Sequence, residues 1–205
     1  MKKKLLSAVV LGALGLLGCG GTDTPQTPSV PKFDTADNIR NYLEGKTLTM
    51  EGDNIPSYPN GYDEDVNYGA SSQCYQKVQI KVAGGNFHVS SDLATLRDAS
   101  APLSKGTCDH AAISGAQSFD STSFLVENVA ADANCFDITV SYNGFSQVGR
   151  GKISADGKTV TLELFFSTQA TGNTCADGAV GAQTVTLNKN PFTGNAQQVY
   201  AVSAE

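Results

Sequence analysis

The sequence predicts an all-β fold of antiparallel strands with one or two short helices. Apolar and polar residues alternate with period two in most runs between Thr47 and Val202. Turn pairs such as Gly84-Gly85 and Asn143-Gly144 punctuate those runs at hairpin spacing. Segments with the helical period are few and short. Of the 205 residues 40% are hydrophobic, enough for one core, and the length suits a single domain with a tail.

Taken in order, Thr35 is placed to N-cap a helix over 36–44, with Gly45 beyond its end. Ala36, Ile39 and Leu43 share one face of it, which must pack against something. A strand is predicted at 47–51. In 75–82, Val78, Ile80 and Val82 point one way and Lys77, Gln79 and Lys81 the other. Gly84-Gly85 turns the chain into a strand at 87–91. A second helix is predicted from Asp92, as its cap, to Ser100, ahead of Pro102. Strands follow at 123–129 and at 135–142, where Phe136, Ile138, Val140 and Tyr142 alternate with Asp137, Thr139 and Ser141. Asn143-Gly144 leads into 146–154, and Ala155-Asp156-Gly157-Lys158 into 159–166, with Val160, Leu162, Leu164 and Phe166 inward. Strands at 183–188 and 197–202 bring the count to about nine. Gly149-Arg150-Gly151 marks a bulge or tight bend, with Arg150 either in water or pointing into a barrel as an anion holder.

One apolar and one polar face per strand is the pattern of antiparallel sheets half-exposed to water. Residues 135–166 read as a three-strand meander. An up-and-down barrel and a two-sheet sandwich both accommodate the count. The meander, and the helix ahead of the first strand, resemble the lipocalin-like barrel in topology, so the antiparallel barrel is the expectation and the β-sandwich its alternative. The Gly-x-Trp that marks lipocalins near their first strand is missing, and the chain has no Trp.

The N-terminus reads as an export signal. Lys2, Lys3 and Lys4 precede Leu5–Leu17, an uncharged run too short to span a bilayer at roughly 20 residues. It ends in Leu16-Leu17-Gly18-Cys19, which resembles the lipobox of bacterial lipoproteins. That resemblance covers about twenty residues. It implies cleavage before Cys19 and acylation of Cys19, a membrane partner through the lipid and, with Gly20 rather than Asp next to the lipidated residue, the outer membrane. Two or three acyl chains give stable anchoring, where one is marginal. Cleavage removes 18 residues and three lysines from a chain of net charge −6, leaving 187 residues at −9. Residues 19–32 are then the lipidated Cys and a Pro/Thr-rich tether, on the order of 35 Å long when extended. Residues 33–205 form the single β domain.

An exported chain meets an oxidising compartment, so Cys74, Cys108, Cys135 and Cys175 are expected in two disulfides. Three pairings exist. Hairpin geometry favours Cys74–Cys108. The remainder, Cys135–Cys175, requires the loop at 167–174 to fold back. No CxxC is present, and neither His lies at zinc-finger spacing from a Cys pair, so zinc is not expected.

The acidic balance argues against a nucleic-acid partner. The long acidic, aromatic stretch from Glu51 to Gly69 is the candidate binding loop. Tyr58, Tyr62 and Tyr68 could stack on a protein or glycan partner. Asp63, Asp65 and Asn67 could offer oxygens to a loose surface Ca²⁺ site. An EF-hand would need Gly and Glu where Tyr68 and Cys74 stand. No other cofactor is expected. Cys108-Asp109-His110 is not a catalytic unit, because nucleophile and base meet in space rather than as neighbours in sequence. His88 reads as a surface or hydrogen-bonded strand residue. GxSxG, HExxH and Walker patterns are missing. The expectation is therefore a non-catalytic, membrane-anchored envelope lipoprotein with a binding or structural β domain. Its alternatives are a small-ligand carrier using the barrel interior and, more remotely, a carboxylate-dependent wall or polysaccharide enzyme.

Overall fold

The structure, a computed structural model, describes residues 31–51, 75–96, 108–192 and 195–204. The chain opens with α1 (Ala36–Leu43). Thr35, in extended conformation, accepts the Asn38 N–H on its Oγ1 at 3.1 Å, which supplies one of the donors a helix start leaves unpaired. The strands are β1 (Lys46–Glu51), β2 (Tyr75–Ala83), β3 (Asn86–Leu96), β4 (Cys108–Asp120), β5 (Ser123–Glu127), β6 (Phe136–Ser141), β7 (Ser146–Ile153), β8 (Thr159–Phe166), β9 (Ala170–Thr171), β10 (Thr186–Leu187), β11 (Asn190–Pro191) and β12 (Gln197–Ala204).

Nine of them form one antiparallel sheet in the order β4-β3-β2-β1-β12-β8-β7-β6-β5, strongly curled into a half-barrel. It consists of two meanders, β1–β4 and β5–β8. The C-terminal strand β12 enters between them, pairing Lys46 with Ala204 on one side and Gln197 with Glu163 on the other. Among the described residues β4 and β5 are its edges. They meet at a corner where the Phe87 N–H donates to Ser121 Oγ and the Ser121 N–H to the Phe87 carbonyl, both at 2.8 Å. The expected antiparallel barrel is thus a curled half-barrel, one continuous nine-strand sheet among the described residues.

The concave face carries the main core: Leu48, Met50, Val78, Ile80, Val82, Phe87, Phe136, Ile138, Val140, Val160 and Leu162 are all buried there. Ile39 and Leu43 of α1 pack into it, as the helical spacing predicts. The helix is tied at both sides. The Glu44 carboxylate accepts the N–H groups of Gly84 (2.5 Å) and Gly85 (3.2 Å), in the β2–β3 turn. The Tyr42 hydroxyl donates to the Gly157 carbonyl, in the β7–β8 turn.

Three expectations need correction. The helix predicted from Asp92 to Ser100 is strand as far as Leu96, because Asp92, Leu93 and Ala94 pair with Ala116, Gly115 and Ile113. The partner in that ladder, β4, is a strand the alternation did not reveal: its Ala-, Ser- and Gly-rich run shows no clear apolar face. The strand predicted at 183–188 shrinks to Thr186–Leu187 and joins β9 and β11 in a three-stranded sheet outside the main one.

That small sheet explains why β8 is buried on both faces. Val160, Leu162 and Leu164 face the concave core as expected, with Phe166 half-buried at its rim. Phe165 belongs to a second core with Ala170, Val185, Leu187, Phe192 and Ala196. The segment after β8 therefore folds back across the convex side of the sheet.

Candidate functional site

The concave face leaves a pocket of about 50 Å³, lined from β1, β2, β3, β4, β7, β8 and β12 and by Tyr142. Met50, Val78, Ile80, Val89 and Leu164 supply apolar wall. The polar groups are Ser91, Gln147, Gln198 and the phenols of Tyr75, Tyr142 and Tyr200. Among the described residues no charged side chain lines it. Strand periodicity places these groups: Ser91 follows Phe87 and Val89 on the inward face of β3, and Gln198 and Tyr200 share the inward face of β12.

Tyr200 is fully buried and donates its hydroxyl to Gln198 Oε1 at 2.7 Å. Burial holds its phenol well above the ordinary tyrosine range, and the neighbouring phenols of Tyr75 and Tyr142 push the same way. Burial likewise raises Tyr142, with Tyr75 adding to it. These phenols therefore stay neutral near pH 7. Ser91 differs from them: it is 3% exposed, and its Oγ has no hydrogen-bond partner among the described residues. Such an orphaned hydroxyl costs on the order of 1–3 kcal/mol in a protein interior.

An aromatic ladder starts from two of the lining residues, Phe119 and Tyr142. Phe119 meets Tyr142 edge-on at 5.4 Å, Tyr142 stacks on Phe145 at 4.7 Å with planes 19° apart, and Phe145 meets Phe166 at 5.5 Å. Phe119 and Phe145 are 37% and 42% exposed, so two rings offer surface to solvent beside a polar-floored pocket.

The convex face holds a different constellation. Arg150 is wholly buried on that side of β7, neither in water nor inside the barrel as an anion holder. Its Nε donates to Glu163 at 2.7 Å. Its Nη1 donates to the Gly178 carbonyl (2.6 Å), the Thr174 carbonyl (3.3 Å) and Thr184 Oγ1 (3.2 Å), and its Nη2 to the Ala182 carbonyl (2.9 Å). The rigid fork of a guanidinium suits several acceptors held in one plane. Gly149 and Gly151 do not make a bulge, since β7 pairs in continuous register with β6 and β8. They allow close approach instead: a Cβ on Gly149 would lie 1.7 Å from the Glu163 carbonyl oxygen.

The Arg150 clamp brings Cys175 back to the start of β6, where it forms a disulfide with Cys135 (Cα–Cα 5.8 Å). The Cys175 N–H also donates to Asp137 Oδ1 at 2.7 Å. Asp177 is held below the usual carboxylate range by the Thr174 hydroxyl first, then by the Thr174 N–H and the charge of Arg150. These groups are committed to one another and have a structural task.

Of the residues singled out from sequence, Cys135 and Cys175 come together. Cys19, Cys74, Tyr58, Tyr62, Asp63, Asp65, Asn67 and Tyr68 lie outside the described residues. The side chains of Cys108, Asp109 and His110 do too, and with them the Cys74–Cys108 pairing. His88 is exposed, with Nδ1 2.8 Å from Asp120 Oδ1. Among the described residues no cluster of His, Cys, Asp and Glu could hold a metal ion. The pocket residues were missed, although one signal was present: Ser91 is a polar residue in the apolar register of Phe87 and Val89. Comparison with protein-family models, curated proteins and solved structures finds no match to this chain.

Proposed function

We propose that the protein is a lipid-anchored envelope protein whose β domain is a non-catalytic binding module, taking a small uncharged group into the concave pocket. The observation that carries this reading is the buried, unpartnered Ser91 Oγ on the wall of that pocket. A hydroxyl kept unsatisfied at a cost to the fold is one that a ligand group can satisfy. Among the described residues the lining has neither carboxylate nor imidazole to activate Ser91, which favours binding over catalysis. A volume of about 50 Å³ admits roughly four waters or the end of a larger molecule, which favours an anchoring subsite over a carrier for a whole lipophilic ligand. The anchor rests on the lipobox at Leu16-Leu17-Gly18-Cys19, with the outer membrane as destination and the 19–32 tether holding the domain off the lipid surface.

Mass spectrometry of the full-length protein from its host membrane tests both halves. The expected result is a chain beginning at an acylated Cys19, together with a small molecule that survives gentle ionisation and is lost in Ser91→Ala. An unmodified Cys19 overturns the anchor. A native mass unchanged by any added small neutral compound overturns the binding module.

A further inference from the structure

We infer that the concave pocket and the aromatic rim beside it form a saccharide site, in which a neutral sugar ring stacks on Phe145 and Phe119 and sends a hydroxyl or hydroxymethyl group down to Ser91. This inference rests on the binding reading above and names the ligand class for it.

Four observations narrow the class. Among the described residues the pocket lining carries no charge, so a charged ligand group would find no counter-ion there, and its desolvation is expensive. The polar groups are hydroxyls and primary amides: Ser91, Gln147, Gln198 and the neutral phenol of Tyr142, which donate and accept without ionising. The volume of about 50 Å³ is too small for a whole ring but fits a substituent of one. Of the two exposed rings Phe119 lines the pocket, and Phe145 stacks on Tyr142, another lining residue.

A pyranose matches this arrangement. It has an apolar C–H face for an aromatic plane, a rim of hydroxyls for amides, and a projecting group for the orphaned Oγ. A peptide segment fits less well. Its backbone would need unpaired backbone donors and acceptors, whereas this wall is made of side chains projecting from paired strands.

The test uses the full-length protein in a detergent without a sugar headgroup. Maltotriose, cellotriose and chitotriose are titrated by saturation-transfer NMR and calorimetry, and p-cresol is titrated separately as a neutral aromatic that is not a sugar. The expected result is binding of at least one trisaccharide, with the strongest transfer at ring C–H protons. Phe145→Ala and Ser91→Ala should each weaken it tenfold or more, while Phe145→Tyr keeps the stacking plane and retains the affinity. Circular dichroism and Tm check that each variant is folded. Binding of p-cresol with no saccharide binding overturns the saccharide class and leaves the pocket as a binding site. Binding of neither overturns both. Saccharide binding that is indifferent to Phe145→Ala and Ser91→Ala places the sugar elsewhere and overturns the inference.

Discussion

Arg150 and Glu163 stand opposite each other on neighbouring strands, with Nε 2.7 Å from Oε2 and side chains 0% and 6% exposed. The pair lies on the convex face, so it does not belong to the pocket. It anchors the segment that closes over that face. Arg150→Met leaves Glu163 buried without its cation and frees four further acceptors. The expected loss is about 3–5 kcal/mol in urea unfolding. Arg150→Met combined with Glu163→Leu should recover the part of that loss due to the uncompensated charge, while the four freed acceptors stay unpaired. A single variant as stable as the parent would show that the pair contributes nothing to the fold.

The Cys135–Cys175 bridge joins residues 40 apart in sequence. On loop-closure grounds its removal costs about 3–4 kcal/mol. Cys135→Ser/Cys175→Ser should lower the unfolding free energy from urea denaturation by that amount and keep the far-ultraviolet spectrum of the β-sheet. The bridge fastens a covering segment and closes no ladder of the main sheet. Loss of the sheet spectrum in native buffer would overturn that division of labour.

Ser91→Ala should separate stability from binding. Deleting the orphaned Oγ removes a buried unsatisfied group and is expected to raise unfolding free energy by about 1 kcal/mol, while ligand affinity falls. A drop in stability would mean that the hydroxyl has a structural partner.

The buried phenols set an alkaline limit. The Tyr200 pKa is raised in the folded protein, so above the unfolded-state value of about 10 the unfolded chain has released a proton that the folded chain retains. Stability is then fully present below pH 10 and falls as pH rises beyond it, by up to about 1.4 kcal/mol per pH unit for this group. Tyr200→Phe should flatten that slope in denaturation curves between pH 9.5 and 11.5. An unchanged slope would show that Tyr200 ionises normally.

Gly149 and Gly151 should respond differently to alanine. At Gly149 the new Cβ meets a backbone oxygen at 1.7 Å, and the β7–β8 ladder must part. At Gly151 it meets the Phe136 ring edge at 2.6 Å and Leu162 Cδ2 at 2.9 Å, side-chain atoms that can shift. Gly151→Ala is expected to cost about 1–3 kcal/mol and Gly149→Ala more, enough to lower soluble yield. Equal Tm values for the two would refute the contrast.

Much of the candidate site was hidden in plain alternation. Gln198 and Tyr200 read as ordinary inward residues of a strand, and only the curl of the sheet brings them to Ser91 and Tyr142. Ser91 alone was out of keeping with its face. Phe119 sat in a run with no legible period. Phe145, just after the Asn143-Gly144 turn, gave no sign that it would stack on Tyr142.

Local chemistry determined what the sequence could determine by itself. The cap at Thr35 and the faces of β2, β6 and β8 depend on residues within one turn or one strand, as do the hairpins at Gly84-Gly85 and Asn143-Gly144. These elements stand where alternation and turn geometry put them. The tertiary structure decided what depends on distant partners. Pairing with β4 overrode a helical cap signal at Asp92. Insertion of β12 between β1 and β8 joined the two meanders into one curled sheet. A single buried guanidinium, on a residue expected in water or facing the barrel interior, folded the segment after β8 back far enough to bring Cys175 to Cys135. A strand's own residues set which way its side chains point, but its neighbours and the cover over its outer face come from energy shared across the whole chain.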